Sequence, residues 1–178
     1  MLEDIYPVQF IEGLNHGEEP NTENFLDIGG YPIVAIEYKP KLSYCLVELE
    51  MLVTTFEASG ARDFRVVLCP NYRDKPYDLA LTGGRLAIKS HDEQSGTGTR
   101  IIANWQKVIF KPTAVVTSKN TYWILLHPNG QTLKLVTSID GEPTNMVAHL
   151  GRRWQAESTF SGWKCMLRFY GRMVPVSV

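Results

Sequence analysis

NWQKVIFKPTAVVTSKNTYWILL, residues 104–126, holds two short apolar runs joined by a turn-rich bridge. Side chains alternate across an extended chain with period 2, so each run commits one face to a core. Gln106, Val108 and Phe110 share one side of the first run, and Trp105, Lys107 and Ile109 share the other. In the second run Tyr122, Ile124 and Leu126 oppose Thr121, Trp123 and Leu125. β-Branched and aromatic residues dominate both runs, and Lys111-Pro112 and Ser118-Lys119-Asn120 punctuate them. This pattern predicts two strands of an all-β domain.

Outward from this stretch the same alternation recurs. Strands are expected at 33–38 (IVAIEY), at 44–53 (YCLVELEMLV) and at 63–69 (DFRVVLC). In the second of these, Cys45, Val47, Leu49, Met51 and Val53 should face inward, with Glu48 and Glu50 in solvent. In the third, Phe64, Val66 and Leu68 face inward. Residues 70–84 (PNYRDKPYDLALTGG) read as a long loop, and loops of that length are often functional. A short strand follows at 85–90, then a glycine-punctuated loop, HDEQSGTGTR, at 91–100. Beyond the opening pair come a turn at 127–130 (HPNG), a strand at 132–139 and a turn region from Asp140 to about Gly151. Residues 154–159 and 163–170 read as a closing hairpin around Ser161-Gly162, with Trp163, Cys165, Leu167 and Phe169 inward.

The tally is a jelly-roll β-sandwich of about eight strands, with no convincing helical period. The 178 residues suffice for one domain with its own core. Residues 1–30 stand apart, as an extended acidic arm attached to a domain at 31–178. The arm holds Glu3, Asp4, Glu12, Glu18, Glu19, Glu23 and Asp27 and no Lys or Arg, so against a net charge of −1 the remainder carries +6. Its apolar head, Ile5, Tyr6, Val8, Phe10 and Ile11, is expected to dock on its own domain, a sister subunit or another protein. The basic residues of the body are unclustered, which argues against nucleic acid as a partner. No apolar run reaches the roughly 20 residues of a membrane span, so no membrane partner is expected. Glu3 and Asp4 stand where a secretory signal would carry Lys or Arg. The expectation is a chain made in the cytoplasm, one exported by another route, or a mature fragment with an added Met.

The order of motifs resembles a bacterial jelly-roll family found as accessory domains of surface proteins and glycan-processing enzymes, similar to galactose-binding and carbohydrate-binding-module sandwiches. The matching elements are LVELEML at 46–52, FRVVL at 64–68, the Trp strand at 105–110, TYWILL at 121–126 and RFYG at 168–171. The resemblance spans roughly four-fifths of the chain and implies a sandwich in which Trp105, Tyr122 and Trp123 are structural. The acidic arm and the missing signal depart from the family pattern.

Chemistry is sparse. His16, His91, His127 and His149 are dispersed, with His127 expected as a solvated turn residue, and no spacing suits a metal. Cys45, Cys69 and Cys165 form no CxxC pair, and Cys45 and Cys165 read as small core residues. GTGTR at 96–100 lacks the lysine of a phosphate loop, and Asp92-Glu93 reads as solvated rather than as a calcium site. The expectation is therefore no catalytic residue, no metal and no cofactor. For binding, Tyr72, Arg73, Asp74 and Tyr77 concentrate aromatic and charged groups in the long loop, and Arg152, Arg153 and Trp154 form a second cluster. Two functions follow as expectations. The first is a non-enzymatic bacteriophage virion component, a capsid decoration or tail protein, forming homo-oligomers or docking on other virion proteins through the arm. The second is an extracellular carbohydrate-binding module using those aromatic loops.

Overall fold

The computed structural model describes residues 5–55, 62–88, 102–173 and 175. In chain order the strands are β1 (Gln9–Leu14), β2 (Leu26–Asp27), β3 (Ile33–Tyr38), β4 (Tyr44–Thr55), β5 (Arg62–Tyr72), β6 (Lys75–Pro76) and β7 (Thr82–Ile88). They continue with β8 (Ile102–Val116), β9 (Tyr122–His127), β10 (Lys134–Leu135), β11 (Met146–Leu150), β12 (Arg153–Gln155) and β13 (Leu167–Arg172). One sheet runs β1-β13-β4-β8, and the other runs β7-β5-β9-β3-β11-β12. They meet where Gly83 of β7 pairs with Lys111 of β8, and the free ends β1 and β12 do not close. Counting only β1, β3, β4, β5, β7, β8, β9 and β13, the orders are first-eighth-third-sixth and second-seventh-fourth-fifth. That interleaving is the two-Greek-key jelly roll expected from the sequence.

The core lies between the sheets. Val108, Phe110, Ile124 and Leu126 from the opening pair join Phe64, Val66, Leu49, Met51 and Phe169, all buried. Burying each such side chain contributes about 1.5–3 kcal/mol. The second sheet is also buried on its far face, where Ala35, Val67, Trp123, Leu125 and Val147 form a separate apolar cluster. This explains why TYWILL is apolar almost without interruption, since a strand covered on both faces needs no polar side.

The sheet pairing ties the segment before residue 30 into the sandwich. β1 is hydrogen-bonded along β13, Gln9 opposite Gly171 through Leu14 opposite Leu167, with an irregularity between Phe10 and Glu12. Leu26 and Ile28 are buried in the main core. β2 pairs with β10, and Asn21 and Ile28 donate backbone N–H groups to Thr137 O at 2.7 Å and Leu133 O at 2.9 Å. The Asn15 amide donates to Glu142 O at 2.9 Å and Cys165 O at 3.1 Å, and accepts from Glu142 N at 2.9 Å. Glu12 is the strongest tie. Tyr38 donates its hydroxyl to Glu12 Oε1 at 2.5 Å, and the Lys41 N–H reaches both carboxylate oxygens at 3.2 and 3.0 Å. The Tyr44 hydroxyl lies 2.6 Å from that of Tyr38. Burial, before the neighbouring hydroxyl and carboxylate, holds Tyr38 far above the ordinary tyrosine range, so it stays a donor. The absence of a strand period before residue 30 misled because β1 is bulged and β2 is two residues long.

Other differences have equally local causes. In β4 the register slips between Leu46 and Glu48 against both neighbours, making Val47 a bulge. Tyr44 and Leu46 therefore face the core ahead of Leu49, and Cys45, expected inside, is half-buried on the other side. The expected loop 70–84 is mostly strand: β5 runs to Tyr72, β6 returns, and β7 begins at Thr82. β8 runs on through Lys111-Pro112 to Val116, and the Thr82 hydroxyl donates to Pro112 O. The expected strand 132–139 shrinks to β10, and the expected turn region after Asp140 contains β11. The closing hairpin does not form, because β12 pairs with β11 whereas β13 pairs with β1 and β4 in the other sheet.

Gly171, the last residue of the RFYG motif, lies where β13 crosses the β4 bulge. A Cβ there would run into the Cys45 carbonyl and sit 2.6 Å from Tyr44 Cδ2. Gly171→Ala is expected to lower stability by about 1–3 kcal/mol, read as an earlier midpoint in urea unfolding. An unchanged midpoint would mean that β13 and β4 separate freely.

Candidate functional site

The β5–β6 connection is a two-residue hairpin. Tyr72 pairs with Lys75, and the intervening Arg73 and Asp74 both take left-handed φ values, 51° and 61°. Positive φ at both central positions defines a type I′ turn, whose twist matches the flanking strands. Such turns favour Asn-Gly or Asp-Gly, and Arg-Asp gives no such signal. The hairpin is anchored from below. Trp123, fully buried, donates its indole N–H to Asn71 Oδ1 at 2.8 Å, one residue before Tyr72.

Three of the expected binding residues come together on this anchor. The Tyr72 and Tyr77 rings lie 5.8 Å apart at 55°, and the Arg73 guanidinium carbon is 5.1 Å from the Tyr72 centroid. Tyr72 is 54% exposed and Tyr77 49%, so both rings offer surface to a ligand. Asp74, at the turn, is exposed. Leu79 and Leu81 follow on the same connection and are also exposed, and the sequence reading did not single them out. The Leu81 N–H bonds to Leu68 O at 2.8 Å and the Tyr77 N–H to Pro70 O at 2.9 Å, holding this connection against β5.

The second cluster lies elsewhere. β11 and β12 turn at Gly151-Arg152, where Arg152 and Arg153 are exposed, and Trp154 is half-buried, edge-on to His149 at 5.0 Å. His149 pairs with Ile33 at the start of β3, whereas the Tyr72 hairpin lies beyond Tyr122, which pairs with Tyr38 at the end of β3. Five residues of strand, about 17 Å, separate these two ends. Trp154 also packs on the far-face cluster of the second sheet, which accounts for it as a packing residue.

The arm residues are divided. Ile5, Val8 and Phe10 are exposed, Tyr6 and Ile11 are half-buried, and Ile11 packs on the main core. Arg172 donates to the Tyr6 carbonyl at 2.6 Å. Trp105 is half-buried beneath the Arg168 guanidinium, 3.8 Å from its ring centre.

Among the described residues no three His, Cys, Asp or Glu side chains gather as a metal site, and no helix is long and apolar enough to cross a membrane. His91, Asp92-Glu93 and GTGTR at 96–100 lie outside the described residues. Burial pushes the Cys69 and Cys165 thiols up to about 11, which keeps both protonated at neutral pH. His127 is not a solvated turn residue. It ends β9, half-buried opposite Arg65, and burial first, then the guanidinium, holds its imidazole below the usual 6.5. The unfolded chain thus takes up a proton that the folded chain resists. Stability is full above about pH 6.5 and falls as the pH drops below it. His127→Gln is expected to flatten the fall in unfolding midpoint between pH 7 and 5; an unaltered slope would mean His127 is not responsible.

No protein-family model and no curated protein matches the chain. Among solved structures, it is similar to a CocE/NonD family hydrolase from Staphylococcus aureus, at 12% identity and a TM-score of 0.40. The match covers 93% of this chain and 35% of the hydrolase, so the chain spans about a third of that protein's length. A likeness this slight carries no argument about activity.

Proposed function

We propose that the chain is a non-catalytic carbohydrate-recognition module that binds through Tyr72, Arg73 and Tyr77. The observation that carries this is the pair of half-exposed tyrosine rings, 5.8 Å apart, on a type I′ hairpin pinned by the buried Trp123. Rings held in place before binding lose little entropy on meeting a ligand, and tilted aromatic faces suit the apolar sides of pyranose rings. Arg73 adds fixed donors for ring hydroxyls. The strand motifs that resemble carbohydrate-binding sandwiches support the same function.

A place in a virus particle drew on an N-terminal latch free to reach a neighbour. With β1 and β2 paired inside their own chain, only the exposed Ile5, Val8 and Phe10 are left for such a latch. The carbohydrate-binding function therefore stands ahead of it.

Calorimetric titration of the full chain with soluble oligosaccharides tests the proposal. Tyr72→Ala is expected to weaken binding by about tenfold or more, the equivalent of about 1.4 kcal/mol, while leaving the unfolding midpoint nearly unchanged because the ring is half in solvent. Binding that survives Tyr72→Ala and Tyr77→Ala together would overturn it.

A further inference from the structure

We infer that this end of the sandwich selects acidic glycans, polymers carrying carboxylate or sulfate groups; this rests on the carbohydrate-binding function proposed above. The strand register brings three connections to one end. Tyr38 and Pro70 both pair with Tyr122, so the turn after β3, the turn before β9 and the β5–β6 hairpin leave three neighbouring strands side by side. Adjacent strands lie about 4.8 Å apart, which puts the lines of Lys39 and Tyr72 about 10 Å from each other. The first two turns are fastened together, the Ser118 N–H donating to Ser43 Oγ at 2.9 Å.

These connections carry Lys39, Lys41, Arg73, Lys75 and Lys119 against Asp74 and Asp78. Lys39 is paired with Glu37 at 3.4 Å, and Glu37 also accepts from Asn145. Lys41, Lys75 and Lys119 are within ion-pair distance of no described acid. Glu12, also at this end, has both oxygens engaged by Tyr38 and the Lys41 backbone. The five cations of these connections, against two acids, draw anions to the Tyr72 end. There Arg73 presents a planar fork suited to a carboxylate or sulfate, beside rings that receive the sugar face. Leu42, Leu79 and Leu81, all exposed, supply further apolar contact.

The test is titration of the full chain with polygalacturonate, heparin and neutral dextran at two salt concentrations. Variants are Tyr72→Ala and the double substitution Lys75→Gln with Lys119→Gln. Expected is binding of an acidic polymer but not dextran, weakened about tenfold by raised salt as exposed charges are screened, and weakened by both variants. Equal, salt-insensitive binding of dextran overturns the acidic selection and leaves carbohydrate recognition standing. Acidic polymers bound equally well by Tyr72→Ala, but lost with the lysines, would be plain polyelectrolyte adsorption and overturn both. No binding of any polymer overturns both as well.

Discussion

A chain beginning at Gly30 is expected to lose its cooperative unfolding transition rather than to yield a smaller folded domain. The deletion removes one of the eight jelly-roll strands and exposes the edge of β13. It takes Leu26 and Ile28 out of the core, and removing large buried side chains costs about 2–5 kcal/mol each. It also strips Tyr38 of the carboxylate that accepts its hydroxyl, and an orphaned buried donor costs about 1–3 kcal/mol. Together these losses rival the whole stability of a typical domain, about 5–15 kcal/mol. Thermal melting followed by circular dichroism is the check. A shortened chain that melts cooperatively within a few degrees of the full chain would show that the N-terminal segment is an appendage after all. Ile28→Ala and Glu12→Ala divide the effect, the first reporting the core and the second the tie to Tyr38.

The second large effect is expected at Trp123. The indole is fully buried in the far-face cluster with Val67, Leu125 and Val147. Truncation to alanine costs about 3–5 kcal/mol for a residue of this size, and it frees Asn71 from its indole partner. Because Asn71 precedes Tyr72, the damage reaches the hairpin as well as the sheet. Trp123→Phe separates the two: it keeps most of the buried volume but removes the N–H donor. It is expected to destabilise far less than Trp123→Ala in chemical unfolding, while still weakening ligand binding. Equal losses from both substitutions would mean that the hydrogen bond, not the packing, dominates.

Much of the sandwich was legible in the sequence because alternation is a direct imprint of a half-buried strand. The strand at 44–53 shows it beyond its bulge. IVAIEY and TYWILL, covered on both faces, read correctly instead from their β-branched and aromatic runs, and β3 and β9 hold the register that brings the connections of the Tyr72 end together. Alternation fails where the backbone departs from a plain pleat. At Val47 the bulge reverses the parity within one strand, so a continuous pattern through Cys45 pointed the wrong side inward. At 161–162 the turn signal is real, with Gly162 at φ 79° and the Trp163 indole bonded to Thr159 O at 2.6 Å. The strands on either side nevertheless pair elsewhere, β12 with the preceding β11 and β13 with the distant β1 and β4. Local turn chemistry says nothing of pairing across more than a hundred residues.

The candidate binding residues were half legible. An aromatic and charged composition drew attention to Tyr72, Arg73, Asp74 and Tyr77, although the stretch 70–84 read as a loop. The turn geometry that aligns them was hidden, because Arg and Asp seldom adopt a left-handed backbone. The lysines of the neighbouring turns became relevant only through register, since Lys41, Lys75 and Lys119 are far apart in the chain. Trp154 lies apart from these residues, half-buried on the sheet at the opposite end.

The most direct test of carbohydrate recognition at this end is an amide chemical-shift titration of the full chain with an acidic oligosaccharide. Expected are saturating shifts at residues 71–81, extending to the turns at 39–43 and 117–121, with little change at His149 and Trp154. Shifts confined to the Trp154 end or to the outer face of the β1-β13-β4-β8 sheet would contradict the assignment of the site to the Tyr72 hairpin.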